Sequence, residues 1–351
     1  MSPPEPSPDF RVPPLSGRVP PPDGRMQPLE GWGPPPVPPP DFLAIVGPTA
    51  SGKTGLSLTV GKRLDAEIIS MDSRQIYRGM DIGTGKVSLQ ERALLPHHGL
   101  DLRDPGERYS AGQFARDARS WMEDIRGRGR VPMLVGGTGF FLKALIDPMF
   151  REPELDQERL DRLRVFLNQL PPGRLQAFLA ALDPEREAVA EGGRHRATRA
   201  VEMALLTGRP LSWWHAESEP LEDPLQAFIV LLDPPREELY EKINRRVGEM
   251  VQEGLVGEVE RLLRAGYGPE DPGMTGAGYR EIISFLQGEL TLDQATEEIR
   301  RSHRKYARRQ ITWYRHQIPE GALVLDGSGT KEDRVESVLA GWAGAQAKGV
   351  A

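Results

Sequence analysis

Residues 42–54, Phe-Leu-Ala-Ile-Val followed by Gly-Pro-Thr-Ala-Ser-Gly-Lys-Thr, constrain this chain more than any other stretch. An unbroken apolar run that ends at a glycine predicts a strand buried on both faces, as parallel sheets require. Gly47 to Thr54 then fits G-x-x-x-x-G-K-[ST], a loop that leads from such a strand into a helix and holds phosphate. Gly47 and Gly52 permit the backbone angles that turn N–H groups inward, and Pro48, Thr49, Ala50 and Ser51 complete the cradle. Lys53 supplies a point charge and Thr54 a hydroxyl for Mg²⁺. The helix that follows puts its positive end under the anion. The loop predicts bound phosphates and leaves the reaction open.

The rest of the chain repeats the strand–turn–helix pattern. Ala66 to Met71 predicts a second strand that delivers Asp72, Ser73, Arg74 and Gln75 at its carboxyl end, where ligands sit in doubly wound sheets. A carboxylate there, beside a phosphate loop, serves as a Mg²⁺ ligand through water or as a general base. Ser110 to Gln113 fits a capping box and opens a helix with Phe114, Ala118, Trp121 and Ile125 along one face. Val131 to Val135 is a third strand, followed by Gly136-Gly-Thr-Gly139, a turn that lets another chain or a ligand approach the backbone closely. Three such units predict an α/β fold, a P-loop parallel sheet core. The pair His97 and His98 has no third ligand at metal spacing, so packing or loop hydrogen bonds is its expected role.

From residue 151 to 220 only helical periodicity is present, and we expect a helical insertion domain between the two parts of the core, 41–150 and 221–326. The core resumes with a strand, Ala227 to Leu232, that ends in Asp233-Pro-Pro-Arg236. An arginine just past that strand end is either placed to reach the same phosphates as Lys53 or a solvated helix-start residue. Residues 1–40 hold 16 of the 33 prolines and predict a disordered or polyproline-like tail. Residues 327–351 predict a short C-terminal helix.

The charge of −6 argues against uniform attraction to nucleic acid, so such a partner needs a local basic patch. Residues 300–316 provide one: seven Arg or Lys and no acid, with Tyr306, Trp313 and Tyr314 interleaved. Guanidinium groups meet phosphates and rings stack on bases, so this window suits RNA. There is no cysteine, hence neither a disulfide framework nor a thiolate zinc site. No apolar run approaches the ~18 residues a membrane helix needs. A cytoplasmic protein with no membrane partner is the expectation.

Taken together, the motifs at 47–54, 72–86, 136–138, 233–236, 278–281 and 308–314, in this order, resemble the tRNA dimethylallyltransferases of the bacterial type. The resemblance implies transfer of a dimethylallyl group from dimethylallyl diphosphate to N6 of the adenosine just 3′ of the anticodon. Mg²⁺ would be the cofactor and a tRNA anticodon stem-loop the partner of a monomer. It implies Asp72 as general base, and Thr49, Lys53 and Thr54 as ligands of the diphosphate and its metal. Arg236 would neutralise the leaving group. Thr138, Thr275, Gly278, Tyr279 and Arg280 would contact tRNA, as would Asp72 to Gln75, Arg159, Arg196, Arg304 and Arg308. The chain departs from the family at Gly192-Gly193, where many members carry Asn-Asp; of that motif only Arg196 carries over. A small-molecule kinase with the same loop would need an arginine-bearing lid. An isopentenyltransferase acting on free adenine nucleotides would lack both the insertion and the basic window. A plain RNA-binding module would have no use for Lys53, Thr54 and Asp72 together.

Overall fold

A computed structural model describes residues 38–148, 153, 155–186, 193–218 and 222–348. Residues 1–37 of the proline-rich leader and Gly192 lie outside the described residues. In chain order the core begins with β1 (Phe42–Val46), α1 (Lys53–Leu64), β2 (Ala66–Met71), α2 (Leu89–Arg92), β3 (His97–His98), α3 (Ala111–Gly127), β4 (Val131–Gly136) and α4 (Gly139–Ile146). Four helices follow, α5 (Gln157–Gln169), α6 (Pro172–Leu182), α7 (Arg194–Thr207) and α8 (Leu211–Glu217). The core resumes with β5 (Ala227–Leu232), α9 (Arg236–Gln252), α10 (Leu255–Arg264), α11 (Tyr279–Leu286), α12 (Leu292–Gln317), β6 (Leu323–Leu325) and α13 (Lys331–Lys348).

The six strands form one sheet in the order β3-β2-β4-β1-β5-β6, and every pairing is parallel. Strand alternation divides the core in two. Phe42, Ala44 and Val46 of β1 face a cluster with Phe114 of α3 and Phe141 and Leu142 of α4. Leu43 and Ile45 face the other way, onto Val60 of α1 and Val335, Val338 and Trp342 of α13. Because all strands run alike, the ends of β1, β2, β4 and β5 deliver their loops to one edge, as the sequence predicts.

The predicted capping box is present: Ser110 Oγ accepts from Gln113 N–H and the Gln113 side chain accepts from Ser110 N–H, so α3 starts at Ala111. Helices α5 to α8 share their own core of Leu167, Leu175, Leu179, Val201, Met203 and Leu211, in keeping with an insertion. The C-terminal end differs from expectation. Leu323–Leu325 pairs with β5 as a sixth strand, and α13 runs 18 residues and is integral to the core. Its sequence hides this because only Val335, Val338 and Trp342 are buried, a sparse stripe on an otherwise polar helix. Among the described residues no helix is long and apolar enough to cross a membrane. His97 and His98 form the short edge strand β3, and their side chains make hydrogen bonds: the first bonds Leu95 O at 2.8 Å, the second the buried Glu67 at 2.7 Å.

Candidate active site

The carboxyl edge of the sheet opens into a cavity of about 930 Å³. The phosphate loop forms one wall. Gly52 has φ 94° and caps α1 in the left-handed region, which glycine enters without strain. Ala50 has φ 62°, a conformation that costs a residue with a Cβ on the order of 1–3 kcal/mol and that marks the loop as held against its preference. The Lys53 ammonium curls back on the loop and donates to Gly47 O at 3.0 Å and Pro48 O at 2.6 Å. Burial lowers its pKa to about 7; Asp72 pulls the value up and Arg246 pushes it down. Ser51 Oγ is buried and makes no hydrogen bond. A cradle with an enclosed lysine and an unsatisfied hydroxyl suits an anion.

Asp72, at the end of β2 with β4 between it and the loop strand, lines the same cavity and accepts from Arg74 N–H at 2.8 Å. Its charge acts on Lys53, Arg246 and Tyr306 alike. Ser73, Arg74, Gln75, Thr275, Tyr279 and Arg280 also line the cavity. Thr138 stands just behind, its Oγ1 accepting from Ser73 N–H at 3.1 Å and its side chain hydrogen-bonded to Tyr306. The Arg74 guanidinium is tied to the backbone of Pro272 and Gly273 and to Thr275 Oγ1, which locks the β2 end to the 272–281 segment. Gly278, φ 100°, starts α11 and donates to Glu281. Nine lysines or arginines and three acids line the cavity. A protein of net charge −6 thus concentrates its positive potential here.

Arg236 is not among the lining residues. It is exposed, and its guanidinium lies over the Tyr240 ring with Nε donating to the Tyr240 hydroxyl at 2.9 Å. Pro235 precedes α9, which leaves Arg236 as its first residue. The arginine that reaches the phosphate loop is Arg246, later on the same helix. It lies 3.5 Å from Thr49 Oγ1, donates to Gly85 O at 3.2 Å, and is lowered in pKa by burial. Sequence reasoning favoured the residue at the strand end and missed the one carried inward by helical periodicity. Leu239, Ile243, Val247 and Met250 define the buried face of α9. Arg246, adjacent to Val247, falls at its edge, and that signal was available.

Helix α12 is placed otherwise than its composition suggests. Tyr314 is buried against Gly136, and Trp313 packs onto Gly139, where a Cβ would sit 2.2 Å from the indole. The close approach predicted at the 136–139 turn is made by this helix. Arg300 and Arg304 pair with Glu297, and Arg301 with Glu298, acids that lie just before the window counted in the sequence. Arg304 also donates to Asn244 Oδ1 at 2.6 Å, so it is an internal tie. Lys305, Tyr306 and Arg309 do line the cavity, and Arg308 is exposed. Burial, then the charge of Asp72, pushes the Tyr306 phenol up to about 12. Arg159 and Arg196 are exposed on the insertion and outside the cavity.

Sequence reasoning also passed over Glu258. Its buried carboxylate accepts from Asp81, Ile82 and Gly83 N–H and from the Tyr279 hydroxyl at 2.7 Å, fixing the 81–86 turn beside the cavity. Lys86 braces the same turn from within, donating to Tyr77 O and pairing with Asp81 and Asp101.

The family model described as IPP transferase matches residues 75–317, and that described as Isopentenyl transferase matches 40–95. The chain belongs to the tRNA dimethylallyltransferase family. It is 40% identical over 274 residues to tRNA dimethylallyltransferase 2 of Geotalea daltonii, covering 78% of this chain and 84% of that one. The enzyme of Solibacter usitatus is 40% identical over 294 residues, with 84% and 95% covered. Among solved structures, the tRNA isopentenylpyrophosphate transferase of Bacillus halodurans superposes with a TM-score of 0.65 at 34% identity, covering 88% of this chain and 97% of that one. A eukaryotic dimethylallyltransferase described as acting on tRNA gives 0.69 at 27%, covering 81% and 73%. In this family member the P-loop core and the insertion are thus parts of a prenyltransferase.

Proposed function

We propose that this prenyltransferase moves a dimethylallyl group from dimethylallyl diphosphate to the exocyclic N6 of the adenosine just 3′ of the anticodon in tRNA. The observation that carries the reading is a carboxylate and a phosphate loop lining a single basic cavity, with the charge of Asp72 acting on both Lys53 and Arg246. Lys53, Arg246 and the loop N–H groups hold the diphosphate at the end of β1. A splayed adenine enters between Asp72 and the 275–280 segment. As the allylic C–O bond opens, its electron pair leaves with the diphosphate, whose growing charge falls on Lys53 and Arg246. The N6 lone pair forms the new C–N bond, and Asp72 takes the N6 proton. An adenine amine is a weak nucleophile because its lone pair is delocalised, so a positioned base is required.

The donor set fits Mg²⁺ held mainly through the substrate. Among the described residues no cluster of three or more His, Cys, Asp or Glu side chains could hold a metal. The cavity does offer the Thr54 hydroxyl and the Asp72 carboxylate beside the diphosphate position. Bound there, the ion would screen the diphosphate charge as the group departs. We also take the protein to act as a monomer in the cytoplasm, where its tRNA acceptor is found. The test is direct: labelled dimethylallyl diphosphate with unmodified tRNA should label the RNA at that adenosine. Label appearing only on free AMP would overturn the acceptor, and no transfer would overturn the reading.

A further inference from the structure

Gln310 is buried at 6% exposure, on the face of α12 that covers the phosphate loop. Its Oε1 accepts from Thr49 N–H at 2.9 Å, and its Nε2 donates to Gly137 O at 2.8 Å. The partners force this amide orientation, because an N–H can only donate and a carbonyl can only accept. Gly137 makes the contact possible: a Cβ there would lie 2.2 Å from Nε2. One side chain therefore fastens the outer limb of the phosphate loop to the turn after β4. The next residue in that turn, Thr138, holds Ser73 beside Asp72. Thr49 is thereby fixed with its hydroxyl toward Arg246.

We propose that Gln310 is a positioning residue for the transfer: it sets Thr49 and the phosphate loop at a fixed distance from the Asp72 side of the cavity. This rests on the reading of Thr49 and Arg246 as diphosphate ligands. Gln310 borders the cavity, but Thr49 N–H and Gly137 O take up its amide, so it acts through Thr49. Transfer needs the leaving group and the acceptor base held in one geometry, and small misplacements are expensive in rate.

The experiment is a double-mutant cycle between Gln310→Met, which fills the same space without polar atoms, and Thr49→Val, read in kcat with labelled substrate and in the Kd of inorganic pyrophosphate. Gln310→Met is expected to lower kcat by about tenfold or more, the size of a buried hydrogen-bonding group left unpaired. In the Thr49→Val background the same change should lower it by about twofold at most, because positioned neighbours are not additive. Gln310→Glu adds a second readout. Ionised, the carboxylate accepts from Thr49 N–H but repels Gly137 O; protonated, it donates to that carbonyl. The ratio of Gln310→Glu to wild-type activity should therefore rise as pH falls. Equal effects of Gln310→Met with and without Thr49→Val, or a pH-independent ratio for Gln310→Glu, would overturn the proposal. A wild-type enzyme that binds pyrophosphate but transfers nothing would sink the functional reading instead, and the cycle in pyrophosphate Kd would still decide the role of Gln310.

Discussion

Arg246 brings a guanidinium nitrogen to 3.5 Å from Thr49 Oγ1, joining the middle of α9 to the phosphate loop. Arg236, on the first turn of that helix, is stacked on Tyr240 instead. The two arginines should therefore separate in function. Arg246→Ala is expected to lower kcat/KM for dimethylallyl diphosphate by about 10²–10³, the usual loss when one preorganised charge-stabilising donor is removed. Arg236→Ala should stay within about twofold of wild type, as surface substitutions do. Steady-state labelling of tRNA measures both, and a reversed order would return Arg236 to the site.

Asp72→Asn keeps the shape of the cavity wall and removes the base. Turnover should fall by about 10²-fold or more. Pyrophosphate binding, measured by titration calorimetry, should persist. Unchanged turnover would take Asp72 out of the mechanism.

The pH dependence of diphosphate binding follows from Lys53. Burial holds its ammonium at about 7, well below the ordinary 10.5. A bound anion favours the charged form, so binding above pH 7 takes up a proton. Pyrophosphate affinity should then fall as pH rises past about 7, by up to about tenfold per unit. Lys53→Arg stays cationic throughout. The ratio of wild-type to Lys53→Arg affinity should accordingly decline between pH 7 and 9, and a flat ratio would contradict the assignment.

Exposed and internally paired cations of α12 should differ toward tRNA. Arg308 is exposed, whereas Arg304 is held by Glu297 and Asn244. Arg308→Ala should weaken tRNA binding and reduce the slope of log K against log salt by about 1. Arg304→Ala should leave that slope unchanged and lower the melting temperature. Filter binding across a salt series, with thermal melts, separates the two.

Glu67 offers a stability test away from the site. Its carboxylate is 3% exposed and is held at about 2, below the ordinary 4.5, chiefly by its hydrogen bonds from Arg128, with His98 and Arg130 adding to the effect. A folded-state value below the unfolded one means that the contribution is complete above about pH 4.5 and is lost as pH falls toward 2. Glu67→Gln should therefore be less stable than wild type at pH 6, and the gap should close on acidification. A gap that stays constant from pH 6 to 3 would show that Glu67 does not titrate as described.

Much of this architecture was legible in the residues because local rules and global fold agree there. Apolar runs ending in glycine gave β1 and β4, the capping box gave the start of α3, and the G-x-x-x-x-G-K-T pattern gave the loop. What stayed hidden depends on long-range partners. Arg236 and Arg246 are equally plausible by type, and only the rotation of α9 selects between them. The window at 300–316 looked like an RNA-binding face because it holds no acid, yet Glu297 and Glu298 lie one turn earlier and are in reach. Tyr314 and Trp313 resemble stacking platforms until the glycines at 136 and 139 are seen beneath them. Gln310 lies inside the 308–314 motif and Glu258 in no motif, yet neither sequence position shows its role, since what makes them important is which backbone groups the fold brings to them.

The bond from Thr49 to Gln310 closes a span of 261 residues. During synthesis the phosphate loop emerges early, but the side chain that fastens it belongs to the last long helix before β6. A growing chain that has released only the first strands has the glycine pattern without the cover of α12. Phosphate recognition of the native kind is thereby deferred until α12 has been made, so products ended before Gln310 would carry the loop but not the finished site.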